Sequence, residues 1–289
     1  MLIEKTTGWS DYQLLDSGSG QRLEQFGKYI LVRPDPQIIW KPTLDESVWQ
    51  KADAIFQRTN TDKGEWINKK NVPDKWLMQY KNLSFWAKLS PFKHTGVFPE
   101  QSVQWDWIAE KITKARKQTN ILNLFGYTGI ASLVAAAAGA KVTHLDASKP
   151  AITWARENQE ASKLLNKPIR WIIDDAVKFT SREIKRGVKY DGIIMDPPIY
   201  GHGPTGEKWD FNKDFPRLLE NCRQILTNGP LFILVNAYAI SSSSLMLQNV
   251  IGDYTKGLGG SIEVGELALQ EKNSDRLLST GIFGRWLRS

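Results

Sequence analysis

Short apolar runs and longer helical patterns alternate along most of this chain. The runs at 121–125, 141–146, 169–173, 190–196 and 230–237 are compact, rich in Ile, Leu and Val, and bounded by polar or turn residues, as buried strands are. Between and after them, 130–138, 150–164, 176–186, 215–226 and 243–253 carry apolar residues at helical spacing. A further helix is expected around 101–117, ahead of the first of these strands. Regular strand–helix alternation predicts an α/β fold with a parallel sheet covered on both faces. Ligands of such sheets bind at the carboxyl ends of the strands, near the point where the strand order reverses. Beyond residue 253 the period changes: 261–270 and 275–285 read as strands joined by the turn Lys272-Asn273-Ser274. The expected sheet therefore has seven strands, mostly parallel, closed by a hairpin.

The first part of the chain has another texture. Residues 12–88 are rich in β-branched and aromatic side chains, with turn clusters at 16–20 and at Pro34-Asp35-Pro36. The stretches 22–32 and 75–89 read as strands. With a boundary at Ser90-Pro91, this predicts a small β-rich domain over 1–90 and a larger α/β domain over 91–289.

Composition narrows the setting. The 289 residues are 41% apolar, enough for a core, and no apolar run is long enough to span a bilayer. The first ten residues lack the charged-then-apolar pattern of a secretion signal. One cysteine excludes an internal disulfide framework and a cysteine-based zinc site, so a cytoplasmic location is expected. Net charge is +7, which suits a polyanionic partner without requiring one. The excess is spread: 1–92 holds 13 basic and 11 acidic residues, and 93–289 holds 25 and 20. Basic clusters at Lys111, Lys114, Arg116 and Lys117, and at Lys178, Arg182, Lys185, Arg186 and Lys189, fall at helical spacing, where solvated faces are the default. Of the 12 tryptophans, Trp40, Trp66 and Trp76 are candidates for base stacking, with a β-domain core as the plainer use.

The candidate chemistry sits where strands end. Asn-Leu-Phe-Gly-Tyr-Thr-Gly at 123–129 joins a strand to an alanine-rich helix. Glycines there let the backbone approach a ligand, and the helix that follows points its free amides at it. Asp146 closes the next strand, placed to accept hydrogen bonds from two ribose hydroxyls, so the pattern implies a nucleoside cofactor. Asp174 and Asp175 follow the third strand; one would meet an adenine amino group while the other caps the helix, with Asp175 slightly favoured because it immediately precedes the helix. Asp196-Pro197-Pro198-Ile199-Tyr200-Gly201 follows the fourth strand. Two prolines stiffen that turn, so the Asp196 carboxylate and the Pro197 carbonyl can accept hydrogens from an amino nitrogen. Tyr200 can stack on a substrate ring, and His202 is the best general-base candidate of the three histidines. His144, inside a strand, reads as a satisfied core residue, and the glycine-rich 200–209 stretch reads as a mobile loop.

These motifs resemble those of class I S-adenosylmethionine (SAM)-dependent methyltransferases, and more narrowly the group of large-subunit ribosomal RNA methyltransferases. That group carries Asn-x-Phe-x-Tyr-Thr-Gly, matched at 123–129, and Asp-Pro-Pro-x-Phe/Tyr, matched at 196–200. Its entry segment, Lys-Thr-Gly-x-Phe-x-Asp-Gln, is matched loosely at 93–101, where His94 intervenes and Glu100 replaces Asp. The resemblance implies a Rossmann-like fold over 91–289 and SAM as cofactor. It implies cofactor contacts from Phe98 and Gln101; from Asn123, Phe125, Gly126, Tyr127, Thr128 and Gly129; from Asp146, Ala147 and Ser148; and from Asp174, Asp175, Ala176 and Asp196. It assigns no metal.

The resemblance implies a nucleobase in ribosomal or other structured RNA as the methyl acceptor. Members that methylate C5 of cytosine attack the base with a cysteine placed after the fifth strand. Here that segment, 236–240, reads Asn-Ala-Tyr-Ala-Ile, and the single Cys222 falls in a predicted helix. Nitrogen is therefore favoured over cytosine C5, with an amino nitrogen first and ring nitrogen or oxygen after it. Other readings stay open: a small-molecule or protein acceptor, a SAM-binding RNA-assembly factor without catalysis, or a nicotinamide oxidoreductase.

Overall fold

The computed structural model describes residues 1–59, 64–238 and 242–288. The chain divides into two compact units: Met1–Glu4 with Val103–Leu267 and Thr280–Ser289, and Lys5–Ser102 with Ala268–Ser279.

An edge strand, β1 (Leu2–Thr6), opens the chain. The second unit follows with β2 (Tyr12–Gly18), β3 (Gln21–Phe26), β4 (Tyr29–Pro34), a single helical turn α1 (Glu46–Trp49), β5 (Ala54–Arg58) and β6 (Gly64–Asn68). These strands form one sheet in the order β2-β3-β4-β5-β6, and β7 (Lys75–Tyr80) pairs with β8 (Leu83–Lys88) as a separate hairpin. The stretches 22–32 and 75–89, each expected as one strand, are thus two hairpins. Gly27 at φ 61° and Lys81 at φ 51° make the tight turns, which strand-period patterns do not reveal.

The core of this unit contains charge. Glu24 accepts two hydrogen bonds from Arg33, each 2.7 Å, and one from the Tyr12 hydroxyl at 2.8 Å. Arg22 pairs with Asp35 at 3.0 Å. Burial pushes the Glu24 carboxyl up, but Arg33 and Arg22 outweigh it and hold the group at about 2. Trp76 is buried in the same unit, the indole of Trp66 donates to the Ser90 carbonyl, and Trp40 bonds to Ser17. All three tryptophans are engaged in packing or hydrogen bonds rather than offered as open stacking faces.

In the first unit α2 (Ser102–Lys114) leads into β9 (Asn120–Leu124), α3 (Ile130–Ala137), β10 (Lys141–Asp146), α4 (Lys149–Ala161), β11 (Ile169–Ile173), α5 (Ala176–Arg186) and β12 (Gly192–Met195). A small hairpin, β13 (Tyr200–His202) with β14 (Lys208–Asp210), precedes α6 (Phe211–Gln224). Then come β15 (Phe232–Ala237), α7 (Ser244–Thr255), β16 (Ser261–Gln270) and β17 (Leu277–Leu287). The sheet order is β1-β16-β17-β15-β12-β9-β10-β11. The seven expected strands form the mostly parallel sheet, with β17 antiparallel to β15. β1 adds an eighth at the edge.

Why this topology places a site is visible in the order. The chain steps outward from β9 through β10 to β11, then returns to lay β12 on the other side of β9. A crevice therefore opens at the carboxyl ends of β9 and β12. The helices are fixed by local chemistry. Ser148 caps α4, with Pro150 in the first turn, and Asp175 caps α5, which Gly187 ends at φ 68°. β15 is buried at every position, as a central parallel strand must be. One face of the sheet, through Leu122, Leu124, Ile193, Met195, Ile233 and Val235, packs on α5, α6 and α7. Among the described residues, no helix is long and apolar enough to cross a membrane.

Candidate active site

The turn after β9 takes its shape from the strand beside it. Phe125 and Tyr127 have φ of 55° and 49°, and Gly129 has φ 82° at the start of α3. Gly126 donates to the Leu145 carbonyl at 3.0 Å, which presses the loop against the end of β10. A Cβ on Gly126 would lie 2.3 Å from Cε1 of His144. The loop glycine is thus required by a buried imidazole beneath it. That imidazole is held in turn: the Asn123 amide donates to Ser132 Oγ at 2.9 Å, and Ser132 Oγ meets His144 Nδ1 at 2.9 Å. Burial drives the His144 pKa down to about 3, so the ring is neutral. Trp171 packs on its face at 4.7 Å between ring centres. His144 is the core residue that its strand position suggests, and it props the loop, but it is satisfied at Nδ1 only: Nε2 has no hydrogen-bond partner among the described residues.

Asp146 ends β10. One carboxylate oxygen accepts from the Tyr127 amide at 2.8 Å and the other from the Ser148 amide at 2.8 Å. These bonds tie the loop, the acid and the residues Ala147 and Ser148 into one rim. Burial raises the Asp146 pKa, and the two amides pull it back. A carboxylate has about four lone-pair directions, so two remain for ribose hydroxyls. Gly129 cannot carry a side chain: its Cβ would stand 2.9 Å from Cβ of Ala155 and 3.2 Å from the Trp171 ring. The Thr128 carbonyl accepts from Asn158 at 2.9 Å, fixing the loop on α4.

At the end of β11 the structure shows which of the two acids caps the helix. Asp175 is the cap, its Oδ1 accepting from the Lys178 amide at 2.8 Å. Asp174 accepts from the Asp175 amide at 2.8 Å through one oxygen and pairs with Arg182 through the other. Ala176 begins α5 directly behind them.

Asp196 follows β12, and its amide keeps the strand ladder going with a 3.4 Å bond to the Leu124 carbonyl. Pro197 and Pro198 come next, and the Pro198 carbonyl accepts from the Trp209 indole at 2.7 Å. Trp209 packs on Phe125 at 4.9 Å, joining the acceptor turn to the cofactor loop. The stretch expected as a mobile loop is a hairpin. Tyr200 pairs with Asp210 and His202 with Lys208, while Glu207 bonds back to Thr205 and pairs with Lys178 of α5. Short polar strands and three glycines within 200–209 give no apolar period, which is why the sequence reads as loop. Tyr200 is 71% exposed, and His202 is exposed two residues along the same strand.

Phe98 and Gln101 belong to the other unit, at the single turn Pro99–Gln101. There the rings of His94 and Phe98 lie 5.1 Å apart, and Lys93 accepts from Arg33 through its carbonyl. Burial, with Arg33, Lys93 and Arg22 nearby, lowers the His94 pKa to about 3. Cys222 is fully buried with Sγ 4.0 Å from the sulfur of Met195, a packing residue that cannot reach a substrate. Of the segment 236–240, Ala239 and Ile240 lie outside the described residues.

A parallel sheet reversing at β9, a glycine turn on its first strand, an acid ending the second and Asp-Pro-Pro ending the fourth define a nucleoside-dependent transferase of the class I methyltransferase type. Known proteins agree with that reading. The chain belongs to the S-adenosylmethionine-dependent methyltransferase family, whose model matches residues 30–253. It is an S-adenosylmethionine-dependent enzyme, and the donor set around Asp146 suits that cofactor: an acid for ribose, free helix amides and a second acid pair. A SAM-dependent methyltransferase from Agrobacterium tumefaciens is 43% identical with a TM-score of 0.97, over all of this chain and 94% of that one. The ribosomal RNA large subunit methyltransferase K/L of Hahella chejuensis is 29% identical over 60% of this chain. Its counterpart in Shewanella frigidimarina is 33% identical over 53%. The matched stretches span only 25% and 21% of those relatives' lengths.

Proposed function

We propose that this protein methylates a nitrogen of a nucleobase in structured RNA, with ribosomal RNA as the first candidate. The observation that carries the reading is Asp196-Pro197-Pro198 at the carboxyl end of β12, beside the cofactor loop, with the single cysteine sealed in the core. A carbon acceptor needs a covalent nucleophile to activate it, whereas a nitrogen needs only to be held in line. The curated relatives named as ribosomal RNA methyltransferases support the choice of RNA.

When bound, SAM supplies a methyl group on a sulfonium, already activated toward displacement. The residues of this chain then have distinct tasks. Asp146 takes the ribose hydroxyls. On Asp175 capping and adenine binding are compatible, since one oxygen caps α5 and the other is left for the adenine amino group. Asp196 and the Pro197 carbonyl accept hydrogens from the acceptor nitrogen and direct its lone pair along the transfer axis. Tyr200 stacks on the base, its exposed ring being worth roughly 1–3 kcal/mol in such a contact. His202, on the same side of β13, carries the released proton to solvent. The β-rich domain over 1–90 serves substrate recognition, and the protein works in the cytoplasm.

Mass spectrometry of ribosomal RNA from cells with and without the gene tests the reading. One methylated nucleoside that disappears with the gene, and returns in vitro with purified protein and SAM, is the expected result. Unchanged ribosomal RNA, with transfer instead to a small molecule or a protein, would refute it.

A further inference from the structure

β15 runs Phe-Ile-Leu-Val-Asn-Ala, and its one polar residue, Asn236, is 4% exposed at the penultimate position. The amide oxygen of Asn236 has no hydrogen-bond partner among the described residues. Buried polar groups are nearly always paired, and an unpaired one costs about 1–3 kcal/mol. Asn123, on β9 at the level of Leu234, two positions deeper, shows the usual arrangement: it is 2% exposed and bonded to Ser132.

The position of Asn236 explains the exception. Met195 of β12 stands in register with Val235 of β15, so Asp196 and Asn236 are the next pair along the two strands. Ile193 and Met195, like Ile233, Val235 and Ala237, face the apolar core under α5, α6 and α7. Alternation therefore puts Asp196 and Asn236 together on the opposite face, at the carboxyl edge where the crevice opens.

We propose that Asn236 is a substrate-contacting residue, its amide oxygen standing beside the Asp196-Pro197 turn as a further acceptor for the nitrogen that receives the methyl group. The inference rests on the reading of Asp196 as the acceptor-holding acid. A planar amino group has two hydrogens: one goes to the Asp196-Pro197 turn, shared between the carboxylate and the carbonyl, and the other to Asn236 on the adjacent strand, which fixes its plane as well as its distance. The amide nitrogen of Asn236 then donates to a ring nitrogen beside the amino group. The pair selects a heterocycle with an amino group next to a ring acceptor, an edge that asparagine complements with two hydrogen bonds. The stability lost by leaving Asn236 unpaired in the free protein is kept for the bound state.

The test uses the full chain and two variants, Asn236→Leu and Asn236→Asp. Three quantities are read: the thermal midpoint, the affinities for S-adenosylhomocysteine and sinefungin, and transfer to ribosomal RNA from cells lacking the gene. Sinefungin bears an amine at the transfer point, where S-adenosylhomocysteine has none. For Asn236→Leu the midpoint stays or rises, and S-adenosylhomocysteine affinity is retained. The preference for sinefungin falls about tenfold, the loss expected for one hydrogen bond to a charged group. Turnover on RNA falls by at least as much. Asn236→Asp keeps the acceptor and restores the sinefungin preference.

An unchanged preference for sinefungin in Asn236→Leu overturns the proposal. So does a midpoint lowered by several degrees with that preference intact, because the amide would then be structural. If the wild type transfers nothing to RNA while the sinefungin preference still follows residue 236, the RNA reading fails and the assignment of Asn236 stands.

Discussion

Gly126 and His144 show how a cofactor loop is dictated from below. The imidazole lies where a Cβ would go, 2.3 Å away, and Asn123 and Ser132 hold it there. Gly126→Ala should therefore lower stability by about 3 kcal/mol through overpacking, read as a large drop in thermal midpoint. A midpoint within roughly two degrees of wild type would refute this role. Asp146→Asn tests the rim: it keeps the volume and removes the charge. S-adenosylhomocysteine affinity should fall at least about tenfold by calorimetry, as charged hydrogen bonds imply, and wild-type affinity would exclude Asp146 from the site. The glycine and the acid are legible in the sequence because turns and strand ends need those residue types. The ring underneath is not, since nothing in the local sequence around His144 says which loop crosses it. His144 also makes stability depend on pH. Its folded pKa, about 3, lies below the ordinary value of 6.5, so the unfolded chain binds the proton first. The neutral ring's contribution is full above pH 6.5 and is lost as pH falls from there toward 3, by about 2 kcal/mol at pH 5. Denaturant unfolding at pH 7.5, 6.5 and 5.5 should show the decline, and a flat profile would contradict it.

The hairpin between β12 and α6 is the element on which acceptor binding turns. It is held at three places: Trp209 on the Pro198 carbonyl and the Phe125 ring, Glu207 on Lys178, and Asp210 capping α6 through the Asn212 amide. Trp209→Ala removes the first of these and should open 203–207 to limited proteolysis while the rest of the sheet resists. Cleavage no faster than in wild type would show that the indole does not hold the hairpin. Elements such as β9, β12 and β15 are plain in the sequence because burial on both faces makes them mostly apolar. β1 escapes that reading because an edge strand can be exposed and charged: Leu-Ile-Glu-Lys-Thr buries little. β13 and β14 escape it because three-residue strands of Tyr, Gly, His, Lys, Trp and Asp have no period to detect.

At the scale of the molecule, charge decides how RNA would be held. The excess of +7 is modest, and the basic residues of α5 are partly spent: Lys178 on Glu207, Arg182 on Asp174 and Arg186 on Glu183. Lys185, Lys208 and Arg217 line the same groove between α5, α6 and β14 without a described acidic partner. The sequence alone shows Lys178, Arg182 and Lys185 as a cluster, but only the fold brings Lys208 and Arg217 alongside them from a later part of the chain. The groove also contains Trp209, and so adjoins the hairpin that carries Tyr200. If phosphates bind there, each contact releases counterions, and log affinity falls with log salt by about 0.7 per phosphate for single strands. The double variant Lys185→Glu with Arg217→Glu should weaken RNA binding across sequences and shorten that slope by about one to two contacts. S-adenosylhomocysteine affinity should not change, because neither residue belongs to the cofactor rim. Binding isotherms at several salt concentrations read both effects together. A slope equal to wild type would place the RNA backbone elsewhere on the protein, and a slope near zero in the wild type would argue for an uncharged acceptor.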